Sequence, residues 1–192
     1  MKKERRLLIE LLKEEIKLLK EYGNRGPKQP KVYLVKNDET FEEVSISEVT
    51  KISNLIYDMG GGETSLYDEY NVVVIDNFPI KDFAKYINDN STPDKKLYIS
   101  YNLENSYSFP KADEIIISQL IYHLENISNF AETVNNSLKL NGKITFFSDI
   151  MCKEDKEFLK TMIKKYGFHF SDNIKFIELS KYKNKNLTLQ KE

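Results

Sequence analysis

The chain of 192 residues holds 29 Lys/Arg against 30 Asp/Glu, a net charge of -1, with 40% hydrophobic and 12% aromatic residues, the latter all Tyr or Phe. That length favours one domain burying roughly 70% of its unfolded surface, and the near-neutral balance points to neither nucleic acid nor membrane as a global partner. One cysteine, Cys152, excludes a disulfide framework and a Cys-based zinc site, and His123 and His169 match no metal-ligand spacing, so no metal is expected.

Charge is distributed unevenly. Residues 1–36 carry eleven Lys/Arg and five Glu, a net of +6 on an otherwise acidic chain. A solvated helix face accounts for this excess; an anionic partner is the sharper alternative. The charged first turn and the lack of a small-residue cleavage site after an apolar stretch argue against a signal peptide. The longest apolar stretch, 115–122, is too short and too polar to span a bilayer, and a reducing cytoplasm is the expected compartment.

Residues 3–22 predict a long helix, with Ile9, Leu12, Ile16 and Leu19 at 3-4-3 spacing and Leu7, Leu11, Leu18 and Tyr22 widening the stripe. Packing against the domain is the favoured role; the wide stripe also permits a lid or a homodimer contact. Gly23 stops the helix and a breaker-rich connector follows. Residues 32–35 and 40–46 predict a small hairpin, and Ser45 with Glu48 has capping-box spacing for a short helix through Ile52.

The centre of the chain is 54–76. An apolar run, Leu55-Ile56-Tyr57, ends in Asp58; Gly60-Gly61-Gly62 follow; a second run, Val72-Val73-Val74-Ile75, ends in Asp76. Strand, glycine turn, strand and acid is the order of a nucleotide-binding βαβ unit. Glycine permits positive φ and lets backbone touch a ligand. An acid at the carboxyl end of the second strand can accept hydrogen bonds from both ribose hydroxyls. As G-x-G-x-x-G the match is incomplete, with Ser65 in third place; as D-x-G-x-G from Asp58 it is full.

Residues 78–89 predict a helix with Ile80, Phe83, Ala84 and Ile87 on one face, and 97–103 a third strand. Ile115-Ile116-Ile117 reads as a strand covered on both faces. A helix from about Glu125 to Lys139, turning Ile127, Phe130, Ala131, Val134 and Leu138 inward, closes at Asn141-Gly142. Residues 143–148 form a fifth strand, and the helix after it carries Phe158, Leu159, Met162, Ile163 and Tyr166. The segment 168–183 reads as two strands joined at Ser171-Asp172-Asn173, and the last ten residues as a frayed tail.

The ordered set resembles the class I S-adenosylmethionine-dependent methyltransferases over roughly 50–182. Asp58-Met59-Gly60-Gly61-Gly62 looks like their motif I, and Asp76 like their ribose-binding acid. The segment 108–124 resembles the family's proline-phenylalanine and fourth-strand stretch, and 138–148 its glycine turn into the fifth strand. The resemblance implies an α/β fold: a three-layer αβα sandwich around a seven-stranded, mostly parallel sheet with an antiparallel C-terminal hairpin, plus an N-terminal helical extension. It divides the chain into an extension (1–50), a methyltransferase-like Rossmann domain (51–182) and a tail (183–192).

The implied cofactor is S-adenosylmethionine. Gly60, Gly61 and Gly62 would approach its methionine and ribose portions, with Asp58 orienting the turn or the methionyl amine. Asp76 would hold the ribose hydroxyls, Asn77 and Phe78 would flank the adenine, and Asn102 and Leu103 would lie at its edge. Ser118 and Gln119 would serve the methionine end. The family usually has an acid where Asn102 stands.

Methyl transfer needs chiefly positioning; a base matters only for a protonated acceptor. His123, just past the fourth strand, is the candidate base, against the plainer reading of a histidine that packs or caps the next helix. Tyr122, Tyr101 and Tyr107 could position an acceptor or simply pack. SQLIY stands where amino-group methylating members carry an N/D-P-P-Y segment, and Cys152 lacks the partner that cytosine-C5 chemistry on RNA uses. The expected acceptor is a small molecule or polypeptide. A binding or regulatory protein without turnover and an RNA methyltransferase are the alternatives.

Overall fold

The computed structural model describes residues 27, 29–36, 38–61, 69–89, 95–148, 151–172 and 186–191, with backbone alone for 86–89. The expected N-terminal helix over 3–22, Gly62, Ser65 and the second hairpin strand expected after Asn173 lie outside them.

Alternating β-branched runs and amphipathic segments produce a sheet covered on both faces. Its strands are β1 (Lys31–Lys36), β2 (Phe41–Val44), β3 (Ile56–Met59), β4 (Val72–Asp76), β5 (Lys95–Ser100), β6 (Ala112–Ser118), β7 (Leu138–Phe147), β8 (Phe168–Phe170) and β9 (Leu187–Lys191). Their spatial order is β2-β1-β5-β4-β3-β6-β7-β9-β8. Strands β5, β4, β3, β6 and β7 are mutually parallel. β1 and β2 on one side, and β9 and β8 on the other, are joined antiparallel. The helices are α1 (Ile80–Asp89), α2 (Ile127–Ser137) and α3 (Lys153–Tyr166).

The pleat decides the two cores. Tyr57, Met59, Val73, Ile75, Ile115 and Ile117 join Phe130, Val134, Phe158 and Met162 of α2 and α3 in one cluster. Val74 and Tyr98 point the other way, onto Phe83 and Ala84 of α1. Continuous apolar strands are what a parallel sheet buried on both faces requires.

Among the described residues the sheet has nine strands where seven were expected. The predicted hairpin near the N-terminus forms, but it is no appendage: all of β1 pairs with β5, Lys31 opposite Ser100 through Lys36 opposite Lys95. Without it β5 would be an open edge. The expected tail is also corrected, since Leu187 and Leu189 are fully buried and β9 lies between β7 and β8. Two apolar residues at strand spacing hold a segment whose charged neighbours suggest fraying.

Two local expectations change as well. Ser45 caps a 3-10 turn (Ile46–Lys51) through the Ser47 N–H at 3.3 Å, while Glu48 pairs with Lys51 at 2.6 Å and does not complete a capping box. Helix α2 ends at Ser137 and passes straight into β7. Asn141, at φ +61, lies in an excursion between the Ala112–Leu138 and Glu114–Lys143 rungs, so Asn141-Gly142 do not cap the helix.

Candidate functional site

The chain steps from β3 to β4 to β5 on one side and then returns to β6 on the other, so the order reverses between β3 and β6. Crevices for ligands form outside the carboxyl ends of strands at such a reversal. Here those ends deliver Gly60, Asp76, Ser118 and Gln119.

Gly60 leaves β3 at φ +80, the left-handed region in which a Cβ is strained. Its N–H donates to the Ile75 carbonyl at 2.8 Å. Met59 faces Ile75 in the parallel register, so the glycine turn and Asp76 occupy adjacent positions one step beyond. A Cβ on Gly61 would stand 2.6 Å from Asp58 Oδ2, because the turn folds back over the carboxylate of its own strand. Asp58 is 1% exposed there. A Cβ on Gly60 would lie 2.7 Å from Leu120 Cδ1. Glycine at both positions is thus required by the chain's own packing, with Leu120 over Gly60 and Asp58 against Gly61.

Asp76 is partly exposed, and its Oδ1 accepts from the Phe78 N–H at 3.0 Å, an Asx turn that fixes the carboxylate at the strand end. Asn77 lies within this bend. Below it the Tyr98 hydroxyl is placed to donate to the carbonyls of Phe78 at 2.7 Å and Asp76 at 3.1 Å. Burial, and secondarily the Asp76 charge, raise the Tyr98 phenol well above its ordinary value, so it remains a donor.

On the β5 side, Tyr101 N–H donates to the Asp76 carbonyl at 2.8 Å, carrying the chain past the crevice. Asn102 follows, partly exposed, its Oδ1 accepting from the Glu104 N–H at 3.0 Å. Leu103 turns its side chain into the core at 5% exposure, so any ligand contact there falls to its backbone. Tyr101 and Tyr107 form an aromatic cluster with Phe109, centroids 5.3 and 4.7 Å from that ring. Burial, then Tyr107, push Tyr101 up to about 12. Both tyrosines therefore pack the core face.

On the β6 side, Ser118 closes the strand and Gln119 takes φ +52, an uncommon conformation for a non-glycine residue and one that concentrates at ligand sites. Tyr122 hydroxyl reaches Gln119 Oε1 at 3.4 Å. His123 sits beside it in a 3-10 turn (Ile121–His123), ring centroids 4.2 Å apart. Although His123 is on the surface, partial desolvation lowers its imidazole from the ordinary 6.5, disfavouring the charged form. A neutral ring can accept a proton.

Gly60, Gly61, Asp76, Asn77, Asn102, Ser118 and Gln119 thus lie at or just past the carboxyl ends of β3, β4, β5 and β6, with Asp58 buried against the glycine turn and His123 a few residues past β6. His169 lies on β8, and Cys152 precedes α3, where burial above all raises its thiol to about 11. Among the described residues no cluster of His, Cys, Asp or Glu could hold a metal ion, and no helix is long and apolar enough to cross a membrane. Leu120, Tyr98 and Glu104 were not anticipated as neighbours of these strand ends. Leucine over a glycine and a buried tyrosine two residues before a strand end leave no distinctive pattern.

No protein-family model and no curated protein matches the chain. Solved structures do. The aminoglycoside resistance methyltransferase NpmB1 superposes with a TM-score of 0.56 at 14% identity, over 84% of this chain and 100% of its own. A W203A mutant of the 16S rRNA (adenine(1408)-N(1))-methyltransferase from Catenulisporales acidiphilia gives 0.54 at 11%, over 84% and 96%. Magnesium protoporphyrin IX methyltransferase from Synechocystis PCC 6803, with bound S-adenosylmethionine, gives 0.50 at 11%, over 77% and 76%. At such identities the likeness is one of fold.

Proposed function

We propose that this chain, which has the fold of the class I S-adenosylmethionine-dependent methyltransferases, transfers a methyl group from that cofactor to a small-molecule or polypeptide acceptor. One observation carries the reading: the Gly60 turn, at positive φ, is hydrogen-bonded to Ile75 and stands directly beside Asp76, at the reversal of strand order. Ligands of open α/β sheets bind outside the carboxyl ends of strands at such a reversal, which is where this turn and Asp76 lie.

S-adenosylmethionine would supply an electrophilic methyl carbon. In this reading Gly60 and Gly61 hold its amino-acid end against backbone, Asp76 accepts from the ribose hydroxyls, and Asn77 and Asn102 border the base. Ser118 and Gln119 border the methionine end. His123, whose charged form desolvation disfavours, takes a proton at an imidazole nitrogen when the acceptor carries one. Positioning is the larger contribution, worth up to about 7–11 kcal/mol in favourable intramolecular cases.

Thermal-shift titration with S-adenosylmethionine and S-adenosylhomocysteine tests cofactor binding. Saturation to 100 times the dissociation constant stabilises a protein by about 2.7 kcal/mol; a flat response to both ligands refutes the proposal. Binding without methyl transfer to any tested acceptor favours a regulatory protein. RNA is the second acceptor reading, favoured by the presence of an rRNA methyltransferase among the fold neighbours and by the basic residues 1–36. It requires RNA binding that weakens steeply with salt.

A further inference from the structure

Between β5 and β6 the chain crosses the sheet as an extended segment laid along α2. Tyr107 N–H donates to Thr133 Oγ1 at 3.0 Å, Thr133 Oγ1 donates to the Asn105 carbonyl at 3.2 Å, and Phe109 N–H donates to Ser137 Oγ at 3.1 Å. Asn129, Thr133 and Ser137 recur at four-residue spacing, one polar line along the helix, with Thr133 and Ser137 buried beside its apolar face. At the head of this line stands Glu104. Its Oε1 accepts from the N–H groups of Glu125 and, at 3.2 Å, Asn126, the two residues that lead into α2. Asn129 Nδ2 in turn donates to the Glu104 carbonyl at 3.0 Å, and Glu104 N–H donates to Asn102 Oδ1.

We infer that Glu104 is a positioning residue that couples the adenosine end of the crevice to the acceptor rim. The inference rests on the cofactor reading above and adds a path within that site. Asn102 borders the base, Glu104 is bonded to it, and Glu104 holds the backbone two residues after His123. The bonds to the carboxylate are charge-assisted, the stronger class, and they oppose the exposed donors at the start of a helix, where an anion is favoured. Ordering Asn102 on a ligand therefore orders Glu125 and Asn126, and with them the turn carrying Tyr122 and His123. An acceptor would meet a finished rim only after the adenosyl end is filled.

Amide hydrogen exchange on the full chain, with S-adenosylhomocysteine as probe, tests this. Slowed exchange is expected at 58–61, where the ligand touches backbone, and also at Glu125 and Asn126, which it does not reach. In E104A and E104D, whose side chains are absent or too short to span the gap, the slowing at Glu125 and Asn126 should be lost while that at 58–61 persists. E104Q, which keeps an acceptor oxygen at full reach, should restore it. E104D serves where E104A does not fold. Equal slowing at Glu125 and Asn126 in every variant overturns the coupling, as does slowing at 58–61 alone in the native chain. No slowing at either place removes the cofactor reading and this inference with it.

Discussion

Leu120 lies over Gly60 so closely that a Cβ on the glycine would fall 2.7 Å from its Cδ1. Two independent constraints therefore act at one position. Gly60 needs positive φ to leave β3, and it needs no side chain because a residue from beyond β6 fills that space.

Gly60→Ala should cost about 1–2 kcal/mol from the left-handed backbone alone, with more from the contact with Leu120. Trimming the contact in a G60A/L120A double variant would relieve the second part only. Urea unfolding of both variants measures the difference. Equal stability of G60A and the native chain would contradict the conformation at this turn.

Asp76→Asn keeps the oxygen that accepts from Phe78 N–H, so the strand end should fold as before. On the proposed cofactor reading it removes the charge that would strengthen bonds to ribose hydroxyls, and a hydrogen bond to a charged group is worth about 1.5–3 kcal/mol. Calorimetric titration with S-adenosylhomocysteine should show binding weakened at least about tenfold, since 1.4 kcal/mol is a factor of ten, at unchanged melting temperature.

Leu189→Ala should destabilise by about 2–5 kcal/mol, the range for a buried leucine truncation, because the side chain is fully buried in the core cluster that includes Phe130 and Phe158. Deleting 187–192 should be worse. It strips β7 and β8 of their partner and takes away Lys191, whose Nζ donates to the Asn135 carbonyl at 2.8 Å near the end of α2. A frayed tail would leave the denaturation midpoint unmoved.

His123 should titrate below 6.5, followed by the imidazole Cε1–H resonance in NMR, since desolvation lowers its value. The folded state then binds the proton less readily than the unfolded chain. Its contribution to stability is present in full above about 6.5 and lost as pH falls through the lower folded-state value. Replacing His123 by Gln should remove that part of the acid-side decline. A midpoint above 6.5 would contradict the desolvated setting and weaken the case for a neutral base.

The order of elements was legible in the sequence because each rests on local periodicity. Three apolar runs ending in Asp58, Asp76 and Ser118 became the parallel centre, and the amphipathic spacing of 153–166 became α3. Leu187 and Leu189 escaped notice because two leucines at alternate positions are too short a pattern to register. Their strand forms only because β7 offers it a hydrogen-bonding edge. β1 joined the sheet for the same reason at β5. Tyr101 and Tyr107, ambiguous as loop aromatics, were decided by Phe109.

Local pattern along the chain was enough to give an α/β fold with a glycine turn after one central strand and an acid at the end of the next. Only the tertiary structure decided that Gly60 and Asp76 are neighbours, that Leu120 closes over the turn, and that Glu104 spans to Glu125 and Asn126. The reason is physical. Helix and strand patterns arise from residues a few positions apart, whereas pairing register and cross-chain bonds join residues whose separation along the chain carries no periodic mark.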